Sequence, residues 1–391
     1  MFIYIVLFVY LSFLVYKYDV KRKKDVNKRL HYMFSCFILI LVAGFRYRIG
    51  YDTNNYMESF TKAPSLGELL SGAEYQGDFM WAYIYGFSKE ICDDFFIVQF
   101  IQAIIVNCFF FWFMKRHSPK PFVAVFLYFM LEWWNLCFEA MREAIAISFF
   151  LYALDAILSN KGLKVYYLRV WPALLAHTFG FVTLLFPLIK FLNIKKHALI
   201  ICSLVFFLIF LVKDSMNDLL LLMELTTDAG LETSDLALDK ATKYVDSDIY
   251  GESNMSIGGF LSLFVGNILP CIYIIMLLNR HSKVCNQTWA SLVFVYICIC
   301  FLKTQVPIFY RFLNYFEILV IVAFSNVLFY EKLKIKRQLA SVYMFLMVFV
   351  RMYSLTSNDV DTTIPAYYRY VPYNSIFQKN YNQKSEIIFR N

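Results

Sequence analysis

The chain reads as an all-α polytopic integral membrane protein, with about ten transmembrane helices and one re-entrant pair of half-helices. Three observations predict this. Of 391 residues, 60% are hydrophobic and only 17% charged, whereas globular chains hold roughly 45–50% apolar and about 25% charged residues. The apolar residues fall in runs long enough for helices that cross a hydrocarbon core. Lys and Arg gather in short runs between those segments, as the cytoplasmic loops of membrane proteins require. The net charge of +8 is therefore a topology signal, and nucleic acid is not an expected partner. The nine cysteines lie mostly inside apolar runs, and only Cys298 and Cys300 are close, without His or carboxylate neighbours at metal-ligand spacing. They read as small packing residues.

Residues 1–16 are apolar and aromatic, lack a basic leader and a cleavage site, and read as a retained first span. The next run carries Lys21, Arg22, Lys23, Lys24, Lys28 and Arg29 and is the most basic in the sequence. It belongs in the cytoplasm, which puts the N-terminus outside. Residues 30–45 return outward, so the polar stretch FRYRIGYDTNNYMESF at 45–60 faces the exterior. Residues 81–87 form a short aromatic segment. Residues 94–114 cross inward to Lys115, Arg116 and Lys120, and 121–133 go out again. Residues 138–158 carry Glu139, Arg142 and Glu143 in their first turns and return to Lys161 and Lys164.

Residues 165–189 are long enough for one span, yet basic residues flank both ends: Lys164 and Arg169 before, Lys190, Lys195 and Lys196 after. A single crossing would invert everything downstream and put Lys332, Lys334, Lys336 and Arg337 outside. The expectation is therefore a re-entrant pair broken near Pro172 and residues 176–180, with His177 near the apex. Such a backbone is permitted at membrane depth only where protein or water covers it. Residues 197–212 lead outward into a long acidic loop, 213–256, which reads as a lid or a partly disordered segment. Residues 259–278 cross inward, 289–302 outward, 307–330 inward and 339–355 outward. The plan is one transmembrane domain, residues 1–355, with external loops 46–80 and 213–256, followed by an external tail, 356–391. Both termini lie outside.

Ionisable groups in membrane spans are costly and usually face a cavity. Here Arg46, Arg48, Asp52, Glu139, Arg142, Glu143, Arg311 and Glu317 all fall toward external ends, and the re-entrant hairpin brings His177 to them. Arg rather than Lys matters, because a planar guanidinium grips phosphate oxygens as a fork and stays charged when partly desolvated. An external cavity lined with Arg and aromatic rings suits a lipid carrying a phosphate or diphosphate. Each residue also has a plainer reading. Arg46 and Arg48 suit interfacial anchors, and Asp52 suits a helix cap or a partner of Arg48. His177 suits a packed, hydrogen-bonded intramembrane histidine. Arg142 can meet Glu139 and Glu143 along one helix face. Arg311 and Glu317 are six apart on poorly matched faces, so Arg311 needs another partner.

The stretch at 45–60 resembles the Arg-x3-Gly-x-Asp-x3-Tyr signature of the EpsG/Wzy-like polysaccharide polymerases, with Arg46, Gly50, Asp52 and Tyr56 at the matching positions. The order of later features is similar: Arg142, Ala144 and Ala146 at a helix start, His177 with Thr178, Tyr310 to Phe312, and Pro372 with Tyr373. Two places depart from the pattern. Glu143 stands where Gln is usual, and residues 76–79 match a Glu-containing segment poorly.

The resemblance implies a GT-C-like helical fold in the bacterial cytoplasmic membrane. It implies transfer of a growing glycan, held on undecaprenyl diphosphate, to the non-reducing end of an incoming lipid-linked repeat unit on the outer face. Arg46, Arg142 and Arg311 are the candidate diphosphate ligands, where fixed positive charge meets the negative charge that grows as the anomeric bond breaks. Either His177 or Asp52 is the candidate base. Arg48, Tyr56, Glu143, Tyr310, Tyr315 and Tyr373 are candidate substrate contacts. The partners are the two undecaprenyl-diphosphate-linked glycans and membrane lipids, with a flippase and a chain-length regulator beyond them. The scheme requires no cofactor and no metal. The pairs Asp246-x-Asp248 and Asp359-x-Asp361 echo metal-dependent sugar-nucleotide transferases, but nucleotide sugars are not expected outside. Two other classes compete: a different membrane transferase, either a lipid-glycan ligase or an O-acyltransferase, and a repeat-unit transporter or flippase. Acyl transfer requires cytoplasmic access to His177, and a flippase requires water access from both faces.

Overall fold

Every regular element among the described residues is helical, and the β-type pairing among them is an isolated bridge between Arg46 and Ser375. The computed structural model describes residues 2–191 apart from Lys24 and Gln76, residues 287–303 and 309–330, scattered helical positions between 338 and 353, and residues 366–377. In chain order the helices are α1 (Phe2–Leu14, continued by a π-helical turn, Val15–Val20), α2 (Lys28–Gly44), α3 (Thr53–Lys62), α4 (Leu66–Leu70), α5 (Phe79–Ile91) and α6 (Phe96–His117). There follow α7 (Pro121–Leu131), a π-helical turn (Asn135–Glu139), α8 (Met141–Leu158), α9 (Leu163–Ala176) and a 3-10 segment (Thr178–Phe191). Beyond these come α10 (Gln287–Lys303), α11 (Tyr310–Tyr330) and a 3-10 turn (Ala366–Arg369). The acidic loop 213–256 with Asp246 and Asp248, the span expected at 259–278, the basic run 332–337, and Asp359 and Asp361 lie outside the described residues.

Local chemistry sets the boundaries. Pro121 opens α7 at its first position, where its missing N–H costs nothing. Ser65 and Glu68 form a reciprocal capping box on α4, satisfying two orphan donors. Lys115, Arg116 and His117 close α6, where the helix dipole favours cations. On α1 the buried positions Tyr4, Leu7, Leu11 and Leu14 make one stripe, while Ile5, Val6, Val9 and Phe13 stay exposed. That pattern suits a helix packed on protein along one side and on lipid along the other. Phe2–Val20 and Phe96–His117 are each long and apolar enough to cross a membrane. At 22 residues, α6 spans about 33 Å, a match for a hydrocarbon core of about 30 Å.

The chain forms two compact units, Met1–Pro187 with Ile321–Asn391, and Leu188–Val320. In the first, consecutive long helices alternate in direction. Tyr32 of α2 donates to the Phe111 carbonyl of α6 at 2.8 Å, and Phe45 just past the end of α2 stacks on Phe100 near the start of α6 at 5.2 Å. Alternation separates the polar groups into two ends. Arg46, Asp52, Glu139, Arg142 and His177 follow helix ends or open helices at one of them. Lys17, Asp25, Arg116, Asp155 and Lys161 occupy the other. There Asp155 is fully buried and receives Arg116, His117 at 3.2 Å, Lys161 at 2.9 Å and Arg169 at 3.3 Å. One carboxylate thus ties α6, α8 and α9 together, and a buried charge is tolerable only with such company.

Helix α9 continues through Pro172, and of the two places where a break is expected it falls at His177, within residues 176–180, where the backbone is extended. The Tyr166 hydroxyl bonds the Thr183 carbonyl and the Tyr167 hydroxyl donates to Leu184 at 3.4 Å, so the 3-10 segment runs back along α9. Gly180 makes the return possible: a Cβ there would lie 2.4 Å from the Ala173 carbonyl oxygen. With 14 residues, α9 is about 21 Å long, less than a full crossing needs.

In the second unit the Tyr296 hydroxyl of α10 donates to Glu317 of α11 at 2.7 Å. Arg311 lies 6.0 Å from the ring of its neighbour Tyr310, and Tyr315 is fully buried.

Candidate functional site

The site grows from the turn that ends α2. Past Gly44 the Arg46 side chain folds inward and is fully buried. One terminal nitrogen bonds the Ala43 carbonyl, the other reaches Met141 Sδ at 3.2 Å, and the guanidinium lies 4.9 Å from the Phe138 ring. Its Nε has no hydrogen-bond partner among the described residues. A ring face and a carbonyl therefore carry a buried charge that is normally met by a carboxylate.

The distant tail closes over this turn. Tyr47 N–H donates to Asn374 at 2.9 Å, Ile376 N–H to Phe45 at 3.0 Å, and Gly50 N–H to Arg369 at 3.1 Å. The Tyr373 hydroxyl donates to the Val42 carbonyl at 2.9 Å. Gly50 is required twice over: its φ is +102°, and a Cβ would sit 2.5 Å from the Phe138 carbonyl oxygen. That carbonyl belongs to the π-helical turn Asn135–Glu139, a rare conformation that recurs at functional sites. The Arg-x3-Gly spacing thus lays the loop flat against the turn.

Next to it, Asp52 occupies the N-cap position of α3 without a side-chain capping bond, so the helix-cap reading of this residue does not apply. Tyr56 is buried and packs on Trp81 at 5.5 Å, while Tyr85 donates to its carbonyl at 2.9 Å. Arg142 lies 5.7 Å from the Tyr56 ring and donates to Asp78 Oδ2 at 2.9 Å. Thr178 donates to the other oxygen of Asp78 at 3.3 Å. Thr178 follows His177, which is buried and whose Nδ1 accepts from Phe179 N–H at 3.3 Å. Three separate segments, around residues 78, 142 and 177, therefore converge through one carboxylate, and Tyr56 joins them through Arg142.

Arg142 reaches across to Asp78, whereas Glu139 on the preceding turn meets the tail. Glu139 accepts from Tyr370 at 2.5 Å and faces Arg369 at 3.7 Å. Arg369 in turn lies 5.1 Å from the Tyr51 ring. Glu143 is buried. Arg142 and Glu139 thus each have a long-range partner. Arg48, at a left-handed φ of +50°, lines a cavity of about 500 Å³ with Asn54, Glu58, Thr61, Lys89, Asp93 and Asp94.

Arg46, Asp52, Tyr56, Arg142, His177 and Tyr373 lie at one end of the first unit. Tyr310, Arg311 and Tyr315 belong to the second unit. Asp78 was not foreseen. Its available signal was position, directly before the aromatic helix α5 and within the poorly matching stretch 76–79. Arg369 and Tyr370 were likewise visible only as part of a Tyr-rich tail.

As chemistry, the cluster offers a guanidinium paired with a carboxylate, a hydroxyl and an imidazole. That set can bind an anion and orient a hydroxyl beside it.

Comparison with known families matches residues 29–375 to the EpsG family. No curated protein and no solved structure matches the chain. The match takes in every motif from Arg46 to Tyr373 and nearly the whole length. The chain is a membrane protein that belongs to the EpsG family of Wzy-like polysaccharide polymerases.

Proposed function

We propose that the protein joins undecaprenyl-diphosphate-linked oligosaccharide repeat units into a surface polysaccharide on the outer face of the bacterial cytoplasmic membrane. The observation that carries this reading is the Asp78 bridge between Arg142 and Thr178, beside His177. A carboxylate that holds an arginine can be exchanged for a diphosphate, which offers the same planar oxygen pair with more charge.

In the reaction the bond between the anomeric carbon and the diphosphate oxygen breaks, and the electron pair leaves with the diphosphate. Arg142 meets that charge, and Arg311 keeps the same role on the strength of its sequence position. Arg46 acts from beneath the loop as a buried fixed charge and a positioning residue. The acceptor hydroxyl attacks the anomeric carbon and gives its proton to Asp52. His177, its Nδ1 bonded to backbone, presents Nε2–H as a donor to an oxygen of the leaving group. Sugars are assigned to the cavity beside Arg48, and Tyr56, Glu143, Tyr310, Tyr315 and Tyr373 keep their substrate-contact roles from sequence position alone.

The same proposal sets the topology: a GT-C-like domain of about ten crossings, the turn at His177 re-entrant, and both termini outside. The basic residues Lys21, Arg22, Lys23, Lys28, Lys115, Arg116, Lys161 and Lys164 share the end of the first unit opposite Arg46, which supports a cytoplasmic end there. A flippase would supply the repeat units and a chain-length regulator would stop the product.

Reconstitution of the purified protein in liposomes with a synthetic lipid-diphosphate repeat unit tests the reading. Wild type should give a ladder of products on a gel and Arg142→Ala should not. Release of free glycan or diphosphate without a ladder would contradict polymerisation.

A further inference from the structure

A second cavity, of about 510 Å³, lies at the end of the first unit opposite Arg46. Arg22, Lys23, Lys28 and Lys120 line it, together with Tyr18, Asp19 and Asp25. Both acids are already engaged. Asp19 is buried and accepts from the Val123 N–H in the first turn of α7 at 2.9 Å. Asp25 takes Lys17 at 2.8 Å, the Tyr18 hydroxyl at 3.1 Å and Asn27 N–H at 2.9 Å. Those partners hold the Asp25 carboxyl well below the usual carboxylate range. Around the cavity the four cations outnumber the two carboxylates, and Asp19 also faces Lys28 and Lys120.

The two helices that lead to it carry exposed apolar side chains. Val9, Phe13 and Val20 line one outer face of α1 and its extension, and Leu30, Met33 and Phe37 do so on α2. Val26, in the middle of the basic loop, is 99% exposed. A soluble anion would use the cations alone, whereas a lipid would use both surfaces, its phosphate in the cavity and its chains along α1 and α2. Basic pockets at the ends of membrane helices recognise anionic headgroups in this manner.

We propose that the cavity bounded by Arg22, Lys23, Lys28 and Lys120 binds the phosphate of an anionic membrane phospholipid, with the acyl chains on the exposed faces of α1 and α2. The site is separate from the glycan-handling end, and its test does not depend on polymerase activity.

Native mass spectrometry of the full-length protein in detergent, offered phosphatidylglycerol or phosphatidylcholine, reads occupancy directly. Wild type should retain phosphatidylglycerol over phosphatidylcholine. The variant Arg22→Gln/Lys23→Gln/Lys28→Gln/Lys120→Gln should lose that preference by at least about tenfold, since each cation near the surface contributes about fivefold. The single change Lys23→Glu, at an exposed position, guards against misfolding of the quadruple variant and should lower retention in the same direction. A control that removes as much charge outside the cavity, Lys21→Gln/Arg29→Gln/Lys115→Gln/Lys164→Gln, should keep the preference. Equal loss in both quadruple variants, or no preference in wild type, overturns the proposal. Displacement of the lipid by an equal concentration of glycerol phosphate, which has the headgroup chemistry without chains, would assign the cavity to a soluble phosphate and overturn it too.

Discussion

Arg46 and Ser375, from nearly opposite ends of the chain, form an antiparallel bridge, and around it the tail covers the loop whose arginine is buried beneath. The pairing means that the most specific motif in the sequence is completed by residues more than three hundred positions later. Backbone bonds to Asn374 and Arg369 hold the loop, and Glu139 holds the tail through Tyr370.

The tail clasp gives the first prediction. Tyr373→Phe removes only the bond to the Val42 carbonyl and should cost about 1 kcal/mol. Glu139→Ala also leaves the Tyr370 hydroxyl and Arg369 without this acceptor, so it should cost more. Thermal unfolding of the detergent-solubilised variants ranks the two.

Gly50 and Gly72 make an internal comparison. Both have positive φ, +102° and +98°, but a Cβ meets the Phe138 carbonyl at the first and nothing within 4 Å at the second. Gly72→Ala should cost about 1 kcal/mol from backbone strain. Gly50→Ala should cost clearly more and lower the amount of protein in the membrane, measured by quantitative blotting.

Asp78 should matter through what it releases. Asp78→Asn keeps a polar group near Arg142 and Thr178 but gives up the charge, so a competing diphosphate should bind more readily. The expected result is a donor KM lowered several-fold, with a smaller change in kcat. Arg142→Ala should raise the same KM, and Arg142→Lys should not rescue it, because an ammonium lacks the planar fork. Steady-state kinetics in liposomes separates these outcomes.

At the far end, Asp155→Asn leaves Arg116, Lys161 and Arg169 crowded without their common carboxylate. A fully buried pair loses about 3–5 kcal/mol on such a change; here the cations reach solvent, so about 2 kcal/mol is expected after screening. The unfolding temperature should fall while the donor KM stays unchanged.

Much of this was legible in the sequence because it is local. The apolar runs, the basic loops between them, the Arg46–Gly50–Asp52–Tyr56 spacing and the reversal near His177 are all set within a few turns of chain. Of the two expected break points only the second is used: Pro172 stays inside α9, and Gly180 permits the close return past Ala173. What stayed hidden is long-range. Asp78 meets Arg142 across 64 residues and Thr178 across 100, and no periodicity records such a meeting. Arg46 read as an external ligand because a charge after a span looks exposed; only the tail and Phe138 reveal that it is enclosed.

The most direct test is surface glycan length in cells lacking the protein and complemented with wild type, Arg142→Ala, Asp52→Asn or His177→Ala at matched membrane levels. Wild type should give long polymer, and the null strain and Arg142→Ala should give single repeat units. Unchanged polymer length, with repeat units accumulating inside the cell or only an acyl group lost, would contradict the polymerase reading and favour a transporter or an acyltransferase.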